Sequence, residues 1–462
     1  MNHYCCIWMY VLITLPGCTT RPVFDWPVQS PLGYGLDTYT PPSEHRLGSE
    51  PDTPSIFSEP HTLTLRDAMA ATLLHNPELA SFAWEIRAAE ARALQASLPA
   101  NPEIGLGMEN FGGSGQLSGF DGMEATFSIS QIFVPGEKIR TRARLASLDR
   151  ELSVFDYETT RVNILTDVTT QFVQTLRAQR RITLAERAHE LARQVFDVVT
   201  KRVHAGDLSP IEQGRSKITV STTDLALKQA HRTLKVARIQ LAAFWSSTSP
   251  TFDVAQGNLD QVAATLPSAE AIAQVISQNP DIARWAVEMS KHKTALELAQ
   301  LATVPDITVE GGLRHFNDID APAFVVGFAL PLPLFDRNQG GRLEATYNAS
   351  KAYHDRRAAE TRVRSVLAAG YEALSASHTA VLTLRDDILP NARSTFVATK
   401  KAFQEGKIGY LDILDAQRTL IHLEADYLDA LTTFHTAASE VERLIAQPLD
   451  NVLLSQSQEQ LP

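Results

Sequence analysis

The hydrophobic pattern of this chain is dominated by very long helical stretches. Residues 138–203 carry apolar side chains at helical spacing without a proline, and Gly206 is the first glycine after Gly136. At 1.5 Å per residue, a helix of that length would extend for roughly 100 Å. After Gly206 the helical pattern returns over residues 210–244. The first half of the chain is therefore predicted to form a long helical hairpin packed like a coiled coil.

The second half shows the same order. A helical stretch over residues 342–404 has an expected kink at Pro390, and it is followed by Gly406 and a return helix over residues 410–446. A shorter helix is predicted ahead of each hairpin, at residues 65–97 and 269–301. Each half thus holds a short helix and a hairpin much longer than ordinary globular packing needs.

Between the short helix and the hairpin of each half lie two segments in which apolar and polar residues alternate. They cover residues 103–111, 123–133, 306–316 and 324–333. In the first of them, Ile104, Leu106 and Met108 fall on one face, and glutamates and glycines fall on the other. A period of two over about ten residues is typical of a transmembrane β-strand. The hairpins of a soluble β-sandwich alternate in the same way, so the pattern alone leaves both alternatives open.

Four strands cannot close a membrane barrel by themselves. An open sheet edge in lipid leaves backbone groups unpaired at a cost of several kcal/mol each, and the smallest membrane barrels have about eight strands. Beyond the N-terminal leader, no apolar run approaches the roughly 20 residues of a transmembrane helix. If this chain crosses a membrane, several copies must therefore pool their strands, and three copies would supply twelve.

The two halves are copies of one unit. The pair Asn76-Pro77 recurs as Asn279-Pro280, and Gly206 recurs as Gly406, with an offset near 200 residues throughout. Such self-similarity indicates a duplicated structural repeat. The predicted domains are a first repeat over residues 61–262 and a second over residues 263–449. An extended N-terminal arm rich in Pro, Ser and Thr (19–60) precedes them, and a C-terminal tail (450–462) follows.

The N-terminus is predicted to be an export signal over residues 1–18. A short apolar run ends in "LPGC", which is similar to a bacterial lipobox with Cys18 as the lipidated residue. An ordinary cleaved signal peptide is the alternative. Cys5, Cys6 and Cys18 are the three cysteines of the chain, so no disulfide framework or thiolate metal site is expected in the mature protein.

Composition and motifs narrow the function further. The net charge of −11 argues against a nucleic-acid partner. The 13 histidines show no HExxH spacing, and neither a phosphate-binding loop nor a nucleophile elbow is present. The sequence therefore predicts no enzyme, no cofactor and no resident metal site.

One short stretch, "GKIGYLDILDAQRTL" (residues 406–420), carries an unusual acidic pair. Asp412 and Asp415 are three residues apart and therefore share a face of the predicted helix. From spacing alone, the pair could be catalytic, could line a pore, or could be a solvated surface at a helix N-terminus, where the helix dipole favours carboxylates.

Over residues 63–449 the sequence resembles the TolC-like outer-membrane efflux family, and within it the CzcC/CusC-type channels of heavy-metal RND exporters. The motifs that carry this resemblance are the duplicated unit itself, "HNPEL" and "QNPDI", "LPLPLFDRNQGG", and "GKIGYLDILDAQRTL". The resemblance implies a mainly α fold with a β contribution. Three chains would form a 12-stranded barrel in outer-membrane lipid and an α-helical barrel through the periplasm. The expected partners are two further copies, a periplasmic adaptor and an inner-membrane RND pump.

The resemblance also assigns roles to single residues. Asp412 and Asp415 match the family's acidic motif, which implies a ring of carboxylates that narrows the periplasmic entrance and favours cations. The first repeat has Glu212 and Arg215 at the corresponding positions. The hairpin tips would contact the adaptor, through Gly206, Leu208, Ser209, Gly406, Ile408 and Gly409. The alternative for the tips is a purely structural turn.

Three functions are compatible with these patterns. The favoured one is a passive outer-membrane channel of a tripartite efflux system that exports heavy-metal cations. A conduit of the same architecture for drugs or a secreted protein is the second. A soluble periplasmic coiled-coil scaffold is the third, but it would leave the four alternating segments unexplained.

Overall fold

The structure is a computed structural model that describes residues 31–33, 35–41 and 62–459. The predicted signal peptide and Cys18 lie outside the described residues, as does most of the predicted arm. The described residues form two compact units. The first comprises residues 88–147 and 297–339, and the second comprises the remaining described residues. Each unit takes residues from both predicted repeats, so the units cut across the duplication.

The elements of the two halves follow the same order, apart from a few short additions. In the first half they are β1 (Thr62–Thr64), α1 (Leu65–His75), α2 (Pro77–Ser97), β2 (Glu103–Glu109), β3 (Glu124–Phe133), α3 (Gly136–His204), α4 (Pro210–Ala243) and β4 (Val254–Gln256). In the second half they are α5 (Ala269–Val275), α6 (Pro280–Leu301), β5 (Ile307–Phe316), β6 (Ala321–Ala329), α7 (Gln339–Thr383), α8 (Leu389–Gln404), α9 (Tyr410–Ile445) and α10 (Leu449–Glu459).

Both long hairpins form where the helical pattern predicts them. The helix α3 is continuous over 69 residues. Its counterpart is interrupted by a π-helical turn at Leu384–Ile388, which joins α7 to α8. Pro390 lies in the first turn of α8, where its missing N–H and its ring disrupt the regular hydrogen-bond ladder. No helix of residues 62–459 is long and apolar enough to span a membrane.

Each predicted short helix is divided in two at its Asn-Pro pair. A continuous helix over 65–97 is wrong, because proline disfavours helical geometry at the residue before it. Asn76 leaves the helix and caps α2, since its Oδ1 accepts from the N–H of Glu78 at 3.0 Å. Its Nδ2 donates to the carbonyl of Phe244 at 2.9 Å. The side chain therefore ties the start of α2 to the end of α4.

The second repeat reproduces this link. The predicted helix over 269–301 is also wrong, because it breaks before Pro280. The Oδ1 of Asn279 accepts from the N–H of Asp281 at 2.8 Å, and the Nδ2 donates to the carbonyl of Leu444 at 2.9 Å. The two asparagines thus make equivalent bonds, and each links two helices of its own repeat.

The first unit holds an antiparallel sheet with the strand order β2-β3-β5-β6. Strands β3 and β5 come from different repeats and pair along their whole length, from Glu124 opposite Phe316 to Phe133 opposite Ile307. The fourth strand ends at Ala329, before the predicted end at residue 333. Proline has no N–H to donate to a sheet ladder, so the "PLP" sequence of residues 331–333 cannot continue it.

The described part of the predicted arm is bonded to helices of the second unit. The Nη1 of Arg161 on α3 donates to the carbonyl of Leu32 at 3.0 Å. The Nη2 of Arg87 on α2 donates to the carbonyl of Pro41 at 3.1 Å. This part of the arm is therefore a bound segment. Most of the predicted C-terminal tail is helical and forms α10.

Candidate functional site

One face of the four-stranded sheet is apolar across its width. The register places Leu106 beside Phe127, Phe127 beside Leu313, and Leu313 beside Phe324. Neighbouring positions on the same face add Ile104, Met108, Ile129, Val326 and Phe328. All of these side chains are exposed, and Phe324 retains 89% of its accessible surface. A contiguous exposed apolar surface of this kind marks contact with lipid or with another protein.

The opposite face is polar. The guanidinium of Arg314 lies 2.8 Å from a carboxylate oxygen of Glu124 and 3.5 Å from one of Glu109. Its Nε donates to the hydroxyl of Thr126 at 2.9 Å. The alternation predicted from the sequence thus places most of the large apolar side chains on one face and the ion pairs of Arg314 on the other.

The sheet also ends in two edges. Among the described residues, strands β2 and β6 each pair with a single neighbouring strand, so each has one side that faces no partner strand there. Pro322 lies within β6, a position that proline tolerates on an edge strand. Edges of this kind can pair with strands of another chain.

The second unit contains the turns of the two hairpins, and these are nearly identical. Gly206 and Gly406 adopt φ values of +82° and +76°, in the left-handed region that glycine reaches without strain. The N–H of Gly206 donates to Val203 O at 3.1 Å, and the N–H of Gly406 donates to Phe403 O at 3.0 Å. A second bond from each following residue completes a Schellman motif at both turns.

A shared apolar cluster lies beneath the two turns, and we call it the tip cluster. It consists of Val195, Val199, Phe396, Phe403, Tyr410, Ile413, Leu414 and Leu420. Leu208 and Ile408 are half-buried and pack against it. The other proposed tip residues, Gly206, Ser209, Gly406 and Gly409, are exposed. The two apolar tip residues therefore already have partners within the chain.

Charged side chains lie at both turns, and one of them joins the first turn to the second. The guanidinium of Arg202 on α3 lies over the ring of Phe403 on α8, at 5.4 Å from its centroid. Next to the second turn, the Nζ of Lys407 lies 2.6 Å from a carboxylate oxygen of Glu405. Arg202 and Phe403 were not singled out by the sequence, although the aromatic residues that flank Gly406 in "AFQEGKIGY" were a usable signal.

Asp412 and Asp415 lie on the exposed side of the first turns of α9. The Oδ2 of Asp412 accepts from the N–H of Gly409 at 2.9 Å, so this carboxylate caps its own helix. Glu212 makes the corresponding bond in the first repeat, where its Oε2 accepts from the N–H of Ser209 at 3.3 Å. Capping is thus common to both repeats, and the carboxylate of Asp415 is particular to the second.

Two histidines make contacts that fix the segment between the repeats. A ring nitrogen of His378 bonds to the carbonyl of Ala263, and one of His435 bonds to the carbonyl of Leu259, both at 2.8 Å. Both rings therefore hold the linker between the repeats. Across the described part of the chain, no group of three or more His, Cys, Asp or Glu residues could hold a metal ion.

The duplicated architecture matches a known protein family. The family model for outer membrane efflux proteins matches residues 69–247 and 271–447. Each matched range lies within one of the two predicted repeats. Together the two ranges take in most of the chain, so the agreement concerns the whole architecture rather than a single motif.

Individual proteins of known sequence or structure are similar over most of their length. The cobalt-zinc-cadmium resistance protein CzcC of Cupriavidus metallidurans is 30% identical over 388 residues, which are 83% of this chain and 90% of that protein. The pyoverdine export outer membrane protein OpmQ of Pseudomonas putida is 25% identical over 374 residues, which are 74% and 77% of the two chains.

The structure of the MtrE outer membrane channel of Neisseria gonorrhoeae in its open state superposes with a TM-score of 0.70 at 15% identity. The superposition covers 92% of this chain and 98% of that one. The predicted TolC-like fold, mainly helical with a smaller β contribution, is confirmed by this likeness.

Proposed function

Because the chain belongs to the outer membrane efflux protein family, we propose that it is the passive outer-membrane channel of a tripartite efflux system. The observation that carries this proposal is the sheet of the first unit, whose exposed apolar face suits lipid and whose charged face suits water. This arrangement is the one that a transmembrane strand requires. A periplasmic adaptor and an inner-membrane RND pump would supply the energy and the cargo.

The channel requires more than one chain. The free edges of β2 and β6 would leave unpaired N–H and C=O groups in lipid, at a cost of several kcal/mol each. Pairing β6 of one copy with β2 of the next removes both edges. Three copies would then close a barrel of twelve strands, so we propose a homotrimer as the functional form.

Heavy-metal cations are the proposed cargo. This choice rests on the likeness to a cobalt-zinc-cadmium resistance protein, which is stronger in identity and in coverage than the likeness to a pyoverdine export protein. The second similarity favours a different candidate, the export of an organic siderophore through the same architecture. A wide passive conduit needs no ligand cluster of its own in either case.

We further propose that Asp412 and Asp415 form a cation-favouring constriction at the periplasmic entrance. Both carboxylates are exposed, and a symmetric trimer would bring six of them to one level. A ring of carboxylates attracts cations and resists anions. The adaptor would contact the exposed turn residues Gly206, Ser209, Gly406 and Gly409, with Leu208 and Ile408 supporting them from the tip cluster.

Replacing both aspartates by asparagine should weaken the block of single channels by divalent cations. Asparagine keeps the size of the side chain and a cap for the N–H of Gly409, so the charge is the main change. A loss of about 1.4 kcal/mol in cation binding would weaken the block about tenfold. Planar-bilayer recordings of the purified trimer would measure the blocking concentration of zinc or magnesium from the periplasmic side.

Glu212→Gln is the matched control, because Glu212 caps the equivalent helix of the first repeat. This variant should leave the block nearly unchanged. Equal block in the wild type and in the double asparagine variant would remove the constriction from the proposed function, while leaving the channel itself in place.

A further inference from the structure

A cavity of about 570 Å³ lies in the second unit, where α4 and α9 both pack on α3. One link between α3 and α4 is the bond between a ring nitrogen of His189 and the hydroxyl of Thr223, at 3.1 Å. One link between α3 and α9 is the ion pair of Arg177 with Asp429, at 2.7 Å. The cavity therefore takes its walls from both repeats, and its volume is in the range of small-molecule sites, about 300–1,000 Å³.

Small side chains leave this space open and give it an apolar floor. Threonine and alanine side chains of α4 line one wall: Thr219, Thr222, Thr223, Ala226, Ala230 and Thr233. The floor is buried and consists of Leu184, Ala185 and Ala188 of α3 with Leu414 and Ala425 of α9. Leu414 also belongs to the tip cluster, so the cavity adjoins that cluster. A floor of this kind suits the apolar body of an organic molecule.

The side chains of the lining that can carry a charge are all basic. They are Arg181 of α3 and Arg418 and His422 of α9. His422 lies 3.5 Å from a carboxylate oxygen of Asp426, which is not part of the lining. The guanidiniums of Arg181 and Arg418, in contrast, have neither a hydrogen-bond partner nor an ion-pair partner among the residues that the structure describes. Both are therefore available to an anion that enters the cavity.

The side chain next to Arg418 also indicates a ligand. Gln417 lines the cavity and is only 2% exposed. Its amide bonds to no other residue within the described part of the chain. Buried polar side chains are hydrogen-bonded in the large majority of cases, so a molecule in the cavity is the expected partner of this amide. The amide and the guanidinium of Arg418 would then meet the same ligand.

We propose that this cavity binds a soluble amphipathic organic anion. Its apolar body would lie on the buried floor, and its carboxylate, sulfonate or phosphate group would accept hydrogen bonds from Arg181 and Arg418. The amide of Gln417 bonds to a polar atom of the same molecule. This site goes beyond the proposed channel, because its charge is opposite to that of Asp412 and Asp415 and it does not depend on a metal cargo.

A fluorescence titration with anilinonaphthalene sulfonate (ANS) tests the site. The full chain would be purified in nanodiscs of zwitterionic lipid, and empty nanodiscs would supply the blank. Because ANS is an amphipathic anion that binds apolar surface, we expect one saturable site per chain. Naphthalene sulfonate should displace ANS from this site. Naphthalene methanol, which is neutral and similar in size, should displace much less at the same concentration.

Arg181→Gln/Arg418→Gln should weaken ANS binding at least about tenfold, since hydrogen bonds to charged groups contribute more than neutral ones. Both arginines are exposed, so glutamine should leave the fold intact. The matched control is Arg193→Gln/Arg232→Gln, which removes the same charge from exposed positions of α3 and α4 outside the lining. Its affinity for ANS should stay within about twofold of the wild type, which is less than the roughly 1.4 kcal/mol of a tenfold change.

A second pair of variants fills the cavity without changing its charge. Ala226 is exposed and lines the cavity, so Ala226→Trp should abolish saturable ANS binding by occupying the space. Leu225 is the exposed neighbour of Ala226 and is not part of the lining, so Leu225→Trp should bind ANS like the wild type. Both variants should unfold at the temperature of the wild type, which shows that the fold is retained.

Three results would overturn this inference. They are an unchanged affinity of Arg181→Gln/Arg418→Gln for ANS, equal displacement by the neutral and the anionic naphthalene, and saturable binding that survives Ala226→Trp. Each of these would leave the proposed channel and its cargo untouched, because bilayer recordings and growth in metals test those separately.

Discussion

Replacing Arg161 by methionine is expected to lower the stability of the folded chain by about 3–5 kcal/mol. Arg161 lies in the middle of α3 and its side chain is fully buried. Its Nε donates to a carboxylate oxygen of Glu158 at 3.1 Å, and its Nη1 donates to the carbonyl of Leu32. Methionine fills a similar volume but removes the guanidinium that bonds to the buried carboxylate of Glu158 and to the carbonyl of Leu32.

Denaturant unfolding of the purified protein in detergent would measure this loss. The double variant Arg161→Met/Glu158→Gln should recover part of the stability, because it also removes the buried negative charge that Arg161 pairs with. Arg356→Met is the control, since Arg356 forms an exposed pair with Glu360 four residues later, and such a pair contributes less than about 1 kcal/mol. Equal losses of unfolding free energy for Arg161→Met and Arg356→Met would contradict the conclusion that the buried bonds of Arg161 stabilise the fold.

Asn279→Ala should destabilise the chain by about 2–4 kcal/mol, the second-largest effect. Loss of a helix cap costs about 1 kcal/mol, and a buried carbonyl left without its donor costs about 1–3 kcal/mol. Asn279 is 2% exposed and makes both kinds of bond. Its loss would detach the end of α9 from the start of α6, so thermal unfolding should begin at a lower temperature.

Two further alanine substitutions calibrate this result. Asn76→Ala should behave like Asn279→Ala, since its bonds to Glu78 and Phe244 are equivalent. Asn348→Ala, at an exposed position of α7, should leave stability unchanged or slightly raise it, because alanine is the better helix former. Ordinary surface substitutions change the free energy of unfolding by less than about 0.5 kcal/mol. A loss within that range for Asn279→Ala would show that the bonds of Asn279 do not stabilise the chain.

The features that the sequence predicted well are those set by short-range periodicity. The apolar and polar faces of the strands follow from a period of two, and the register of β2 to β6 bears out the predicted faces. The long helices follow from the absence of proline and glycine over residues 138–203. Gly206 and Gly406 marked the ends of the long helices, and both adopt the positive φ that few other residues reach without strain.

The features that the sequence did not predict depend on partners distant along the chain. Asn279 caps α6 locally, but its bond to Leu444 joins residues 165 positions apart. From the sequence, Arg161 is one more polar residue of a long helix, because its bond to the carbonyl of Leu32 joins residues 129 positions apart.

The roles of Asp412 and Asp415 could also be predicted only in part from the sequence. The spacing of Asp412 and Asp415 placed both on one helix face, and the structure has both exposed there. The sequence did not separate their roles, because capping by Asp412 depends on the geometry of the Gly409 backbone. Its counterpart Glu212 makes the corresponding bond, so only Asp415 lacks a structural equivalent in the first repeat.

The cargo is the central claim, and the growth of a strain that lacks this protein tests it most directly. Dose-response curves would be measured for zinc, cobalt, cadmium, copper and silver beside a panel of hydrophobic drugs and detergents, with the intact gene restored as the control. The account predicts that the strain becomes sensitive to one or more of the metals and that its tolerance of the drugs is unchanged. Sensitivity to the drugs alone, with unchanged tolerance of every metal, would contradict the proposed export of heavy-metal cations.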